Sequence, residues 1–430
     1  MAVAKGKLTI IAHVACNNTK DSMELARHAE SLGVDAIATI PPIYFRLPEY
    51  SVAKYWNDIS SAAPNTDYVI YNIPQLAGVA LTPSLYTEML KNPRVIGVKN
   101  SSMPVQDIQT FVSLGGEDHI VFNGPDEQFL GGRLMGARAG IGGTYGAMPE
   151  LFLKLNQLIA DKDLETAREL QYAINAIIGK LTSAHGNMYG VIKEVLKINE
   201  GLNIGSVRSP LTPVSMELAR HAESLGVDAI ATIPPIYFRL PEYSVAKYWN
   251  DISSAAPNTD YVIYNIPQLA GVALTPSLYT EMLKNPRVIG VKNSSMPVQD
   301  IQTFVSLGGE DHIVFNGPDE QFLGGRLMGA RAGIGGTYGA MPELFLKLNQ
   351  LIADKDLETA RELQYAINAI IGKLTSAHGN MYGVIKEVLK INEGLNIGSV
   401  RSPLTPVTEE DRPVVEAAAA LIRETKERFL

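Results

Sequence analysis

Residues 22–214 recur letter for letter as residues 215–407, so most of this 430-residue chain is one stretch written twice. Whatever the first copy folds into, the second must be able to fold into, and each reactive side chain returns 193 positions later. Solenoids and propellers repeat roughly every 20 to 50 residues and drift in sequence while keeping their packing faces. A domain-sized period without one substitution points instead to a fresh duplication of a folding unit, with domains expected over residues 1–214 and 215–430. A composition of 46% apolar and 19% charged residues is that of a globular protein with a real core.

Charge and cysteine usage remove several function classes. The net charge of −8, with no basic stripe, offers no field for nucleic acid or for anionic lipid. Cys16 stands alone, so neither an intramolecular disulfide nor a Cys-rich zinc site is expected, which suits a reducing cytoplasm. No apolar run approaches the roughly 18 residues of a membrane span. Lys5 and Lys7 ahead of the apolar residues 8–16 imitate a secretion signal, but His13 interrupts the run, and residues 8–15 read better as a buried parallel strand.

From there the chain alternates. Asn18 or Thr19 can cap a helix over residues 20–32 that Gly33 closes. Further strands are expected over 34–40, 67–71, 94–99, 119–122 and 140–143, with a helix opened by Thr82-Pro83 and running to Leu90. Residues 148–199 are almost wholly helical in pattern, with a break near His185-Gly186-Asn187. Strands and helices alternating at this pace call for an α/β fold with a parallel sheet, closed most simply as a (β/α)8 TIM-type barrel. The first copy with its leader supplies six strands and the second five, so the eleven form either one barrel with surplus strands or two incomplete barrels. The unduplicated end, residues 408–430, reads as a capped amphipathic helix expected against the last strands of the second copy.

Chemistry in such folds gathers at the carboxyl ends of the strands. Lys99 ends the apolar strand Val95-Ile96-Gly97-Val98, where a partly dry barrel mouth disfavours the ammonium form. A neutral amine can condense with a ketone to an imine, which withdraws electrons from a neighbouring carbon–carbon bond. On its own, a lysine after a strand is more often a solvated strand end. Tyr71 ends the preceding strand, and because adjacent strands lie about 4.8 Å apart, two inward side chains at matching ends can meet at one atom. Its phenol could carry a proton; alone, it is more often a core tyrosine with its hydroxyl at the rim. Read by themselves, Asp126-Glu127 form the acidic N-cap and first turn of the next helix. The glycines of Ile141-Gly142-Gly143-Thr144 could also cradle a phosphate.

At the pair Tyr71 and Lys99 the sequence resembles the pyruvate-dependent class I aldolases of the dihydrodipicolinate synthase and N-acetylneuraminate lyase family. The resemblance implies that Lys99 forms the pyruvate imine and that Tyr71 moves protons to and from substrate, with Lys292 and Tyr264 matching in the second copy. Leu76 after Tyr-Asn-Ile-Pro-Gln stands where the synthases usually carry an arginine for a dicarboxylate, and Gly124-Pro125-Asp126-Glu127 is similar to the lyase segment that grips sugar hydroxyls. Both spots favour the lyase branch, whose reaction splits N-acetylneuraminate into pyruvate and N-acetylmannosamine. Ile141, Gly143 and Thr144 match positions offering backbone and a hydroxyl to substrate, with Gly143 replacing a common serine. Tyr44 matches an aromatic near the active site, and Ser101 a polar residue after the imine lysine. By the repeat, Tyr237, Ser294, Gly317, Asp319, Glu320, Ile334, Gly336 and Thr337 match equally. The resemblance further implies a small keto acid or sialic acid as ligand, no metal, no cofactor beyond the lysine imine, and room for a homo-oligomer. The family's Gly-[Ser/Thr]-[Ser/Thr]-Gly-Glu segment, which holds the pyruvate carboxylate, has no match in either copy, so an impaired or inactive duplicated scaffold and another pyruvate aldolase are the alternatives.

Overall fold

Short β-branched segments, each followed by a helix, pair in parallel and in chain order in both copies. A computed structural model describes residues 5–183, 188–205, 213–236 and 240–430, the side chains of 213–215 excepted. In the first copy β1 (Ile11–His13), β2 (Ala36–Thr39), β3 (Asp67–Asn72), β4 (Val95–Asn100), β5 (Ile120–Asn123) and β6 (Ala139–Gly140) form one sheet in that order. In the second, β7 (Ala229–Thr232), β8 (Asp260–Asn265), β9 (Val288–Asn293), β10 (Ile313–Asn316) and β11 (Ala332–Gly333) form another. The eleven strands therefore make two open, partial barrels. A single eight-stranded barrel drawing on both copies is ruled out, because each strand pairs with the neighbour that its own crossover helix returns to it. The chain divides into two compact units, Met1–Arg208 and Ser209–Leu430.

Local chemistry sets the element ends. Asn18 caps helix Thr19–Leu32 by accepting the Asp21 amide at 2.8 Å, and Gly33 ends it at φ 73°, a left-handed conformation that costs glycine nothing. Thr82 caps helix Pro83–Met89 in the same way, with proline in the first turn. The sixth strand stops at Gly140, three residues short of the expected Gly143, because the backbone there turns toward Asp126. The expected break at His185-Gly186-Asn187 lies outside the described residues. In the second copy residues 375–380 separate helix Leu357–Leu374 from helix Met381–Glu393.

Identical residues meet different surroundings in the two units. β2 has β1 on one side, and all four of its residues are buried. β7 has no described strand on that side, and its Ala231, the counterpart of buried Ala38, is exposed. The terminal helix Arg412–Phe429 also departs from expectation. It covers no strand but lies against helices Pro342–Ala353, Leu357–Leu374 and Met381–Glu393, with Val415, Ala418, Ala419 and Ile422 in their shared core. These residues recur at 3.6-residue spacing and seal the helical module.

Ile422 is wholly buried in that core. Ile422→Ala is expected to destabilise the second unit by about 2–4 kcal/mol, a cavity-forming loss. Hydrogen exchange of a peptide from residues 412–429, whose sequence occurs once in the chain, should speed up while a peptide from the unique residues 5–21 stays unchanged.

Candidate active site

β3 and β4 pair in parallel with Tyr71 directly opposite Lys99 and Asn72 opposite Asn100. A register shift between Tyr68 and Val69 brings these ends level. Beneath them Asn72 donates to Asn100 Oδ1 at 2.7 Å, Asn100 donates to Ser102 Oγ at 2.8 Å, and Ser102 donates to Asp107 at 2.7 Å. Asn72 Oδ1 also accepts the Leu81 amide at 2.9 Å. Both asparagines are buried, so a break in this chain leaves polar groups without partners in the interior, which fixes where the two strands end.

The Lys99 amine sits over the Tyr71 ring, 3.7 Å from its centroid. Burial pushes its pKa down to about 8, against an opposing pull from Asp126. The ring face favours a cation while the dry surroundings disfavour one, so the amine is poised between both forms. His13, at the end of β1, lies edge-on to Tyr71 with ring centroids 6.1 Å apart. Burial, and secondarily the Lys99 charge, hold its pKa below the usual value, so it adds little competing charge. In the second unit Tyr264 opposes Lys292 in the same register, with the amine 3.8 Å from the ring centroid. The Lys292 pKa is likewise lowered by burial, with Asp319 opposing.

Around Lys99 opens a cavity of roughly 370 Å³. Of the expected site residues, Tyr71, Lys99, Ser101, Gly124, Glu127 and Gly143 line it. Tyr44, Ile141, Thr144 and Asp126 are not in its wall. Tyr44 instead packs edge-on against Phe45 at 4.8 Å. Asp126 is buried, and its Oδ2 accepts both the Thr144 amide, at 2.7 Å, and the Thr144 hydroxyl. Through Oδ2 its carboxylate thus clasps the loop after β6. Gly142 is required by that clasp, since a Cβ there would fall 1.4 Å from Asp126 Oδ1. Gly124 is tied similarly, because a Cβ would fall 2.1 Å from Ser101 Oγ.

The second unit repeats the clasp between Asp319 and Thr337, and Gly317 repeats the close approach to Ser294. Glu320 follows Asp319 in the same short turn, and Ile334, Gly336 and Thr337 follow β11. Tyr237 lies outside the described residues.

Sequence reasoning did not single out the wall residues Ile73, Met103 and Tyr189, and it read Gln75, Pro125 and Gly142 only as parts of their motifs. Gln75 donates to the Ser101 carbonyl at 2.6 Å and so steadies the loop after the lysine. Tyr189 belongs to helix Met188–Glu200, far along the chain, and its hydroxyl comes near Gly143. An aromatic just past a helix break was the one sequence signal for it.

A half-buried amine over a phenol ring at the carboxyl ends of two parallel strands defines an aldolase of the lysine-imine class on a barrel-type fold. The profile of the dihydrodipicolinate synthetase family matches residues 1–218 and again 215–421, and the chain belongs to that family. It is 67% identical over 232 residues to an N-acetylneuraminate lyase of Mediterraneibacter gnavus, a match covering 53% of this chain and 74% of that protein. An Escherichia coli N-acetylneuraminate lyase is 31% identical over 211 residues, covering 49% of this chain and 70% of the relative. Among solved structures, wild-type Ruminococcus gnavus sialic acid aldolase aligns with a TM-score of 0.51 and 58% identity, over 59% of this chain and 84% of that one. Among the described residues no helix is long and apolar enough to cross a membrane, and no group of three or more His, Cys, Asp or Glu side chains could hold a metal ion.

An amine with a pKa of about 8 is half neutral at that pH, and its neutral share falls about tenfold per unit below it. In a Lys292→Ala variant, the rate of imine formation with pyruvate should therefore climb with pH up to about 8 and then level off. An ordinary lysine would keep climbing toward its usual value of 10.5.

Proposed function

We propose that the chain is a Schiff-base aldolase that cleaves N-acetylneuraminate to pyruvate and N-acetylmannosamine, with Lys99 as the imine-forming amine and Tyr71 as the proton carrier. The observation that carries this reading is the largely desolvated Lys99 amine over the Tyr71 ring in the cavity mouth. The neutral amine attacks the keto carbon of the open-chain sugar acid, and loss of water gives the imine. Tyr71 takes the proton from the hydroxyl whose carbon departs, the carbon–carbon bond breaks into the imine, and the resulting enamine is reprotonated. Water then releases pyruvate and restores the amine. No metal or dissociable cofactor enters this sequence. Glu127, in the cavity wall, and Asp126, whose Oδ2 also holds Thr144, position the sugar in this reading. Lys292 and Tyr264 carry the same roles in the second unit, and each copy with its flanking end forms a domain. A cytoplasmic location and a homo-oligomer complete the proposal.

One feature favours a second reading, a non-catalytic scaffold. Residues 22–407 contain no Gly-[Ser/Thr]-[Ser/Thr]-Gly-Glu segment, and the second copy is entered directly at helix Pro213–Ser224, so its site has no such cradle for the keto-acid carboxylate. Misplacing a substrate by about 1 Å can cost about a hundredfold in rate.

Pyruvate with borohydride separates the two. Peptides around Lys99 and Lys292 have the same sequence and mass, so the adduct must be assigned with variants. The intact chain is expected to gain reduced pyruvate, and Lys99→Ala with Lys292→Ala together should abolish the gain. No adduct at saturating pyruvate would establish the scaffold. Tyr71→Phe with Tyr264→Phe should retain the adduct yet lower sialic acid cleavage by roughly 10²–10⁴-fold.

A further inference from the structure

The letter-identical copies present one helical surface twice, and among the described residues a terminal helix packs on it once. In the second unit Leu363, Ile370, Val384 and Val388 are completely buried in the core that they share with Val415, Ala418, Ala419 and Ile422 of the terminal helix Arg412–Phe429. At the matching positions of the first unit, Ile177 is 38% exposed, and Leu170, Val191 and Val195 are half-buried. Helix Pro213–Ser224, at the junction of the two copies, packs on helix Glu242–Ala255 within the second unit.

The polar rim of the surface is duplicated as well. In the second unit Arg428 pairs with Glu362 at 2.7 Å, and Lys426 pairs with Glu343 at 3.0 Å and Glu393 at 3.3 Å. Asn392 donates to the Ala419 carbonyl at 3.1 Å. Their counterparts Glu169, Glu150, Glu200 and Asn199 are all exposed. The first unit therefore offers an apolar groove with an acidic rim, and the structure itself shows what fills a groove of that sequence.

We propose that this face of helices Leu164–Thr182 and Met188–Glu200 is a docking site for an amphipathic helix supplied by another polypeptide. The helix it fits carries a small-aliphatic stripe at the spacing of Val415, Ala418, Ala419 and Ile422 and two cations in its last turn, as Lys426 and Arg428 provide. A helix laid in a groove with anchors at i, i+3, i+4 and i+7 is a common mode of peptide recognition. The ion pairs at the rim set its direction more than its affinity.

The probe is a synthetic peptide of residues 408–430, fluorescently labelled and titrated against the full chain. One saturable site per chain is expected, weakened roughly tenfold or more by Ile422→Asp in the peptide or Ile177→Asp in the chain. Glu169→Lys, a change at an exposed position, should also weaken binding and serves as the variant free of folding effects. No saturable binding at roughly 100 μM peptide, an affinity floor near −5 kcal/mol, overturns the proposal. Binding that ignores both Ile177→Asp and Glu169→Lys overturns it too, because the peptide would then be displacing the chain's own terminal helix.

Discussion

The parallel register between β3 and β4, with Tyr71 opposite Lys99, is the constraint on which the site depends. Two strands less than 5 Å apart leave no freedom in which residues face each other once the pairing is set. The buried Asn72–Asn100–Ser102 chain makes that pairing costly to slip, since a shift of one residue would orphan several polar groups at once. The amine's lowered pKa follows from the same placement. A lysine one residue later on the strand would point to the other face.

Duplication turns the molecule into its own control. Ala38 is buried and Ala231 exposed, although the two stand in identical sequence, because β1 borders β2 and the second unit describes no strand there. Ile370 is sealed and Ile177 is 38% exposed because only one copy carries the terminal helix. The lysines feel this less. Their rings, strand partners and acidic neighbours are internal to each copy, so Lys99 and Lys292 keep matching geometry and the same direction of pKa shift. Local constellations survive a change of surroundings when all their partners travel with them.

Much of the site was legible in the sequence because its key groups sit at strand ends, and strand ends follow from short-range pattern. Lys99 and Tyr71, which line the cavity, were expected there in this way, and Gly124 and Gly143 through the family resemblance. Other features were not legible. The Asp126 clasp is one of them, since the backbone turn after β6 brings the Thr144 amide and hydroxyl onto its Oδ2, a contact spanning 18 residues. Tyr189 enters the cavity from a helix about ninety positions beyond the lysine, and no local pattern reports that return. The terminal helix was expected on strands, yet its narrow stripe of alanine and β-branched residues fits between helices, where backbones can approach closely.

By itself the sequence determined the repeat, the alternation of strand and helix, the eleven strands, and the amine and phenol at matching strand ends, because each depends on residues close in the chain. Tertiary structure alone decided that the strands form two open sheets, that the amine lies over the ring face, that Asp126 Oδ2 holds the loop after β6, and that among the described residues a terminal helix packs on one of two identical helical faces. Those outcomes depend on which distant segments compete for the same buried surface, and two identical sequences given different neighbours resolve that competition differently.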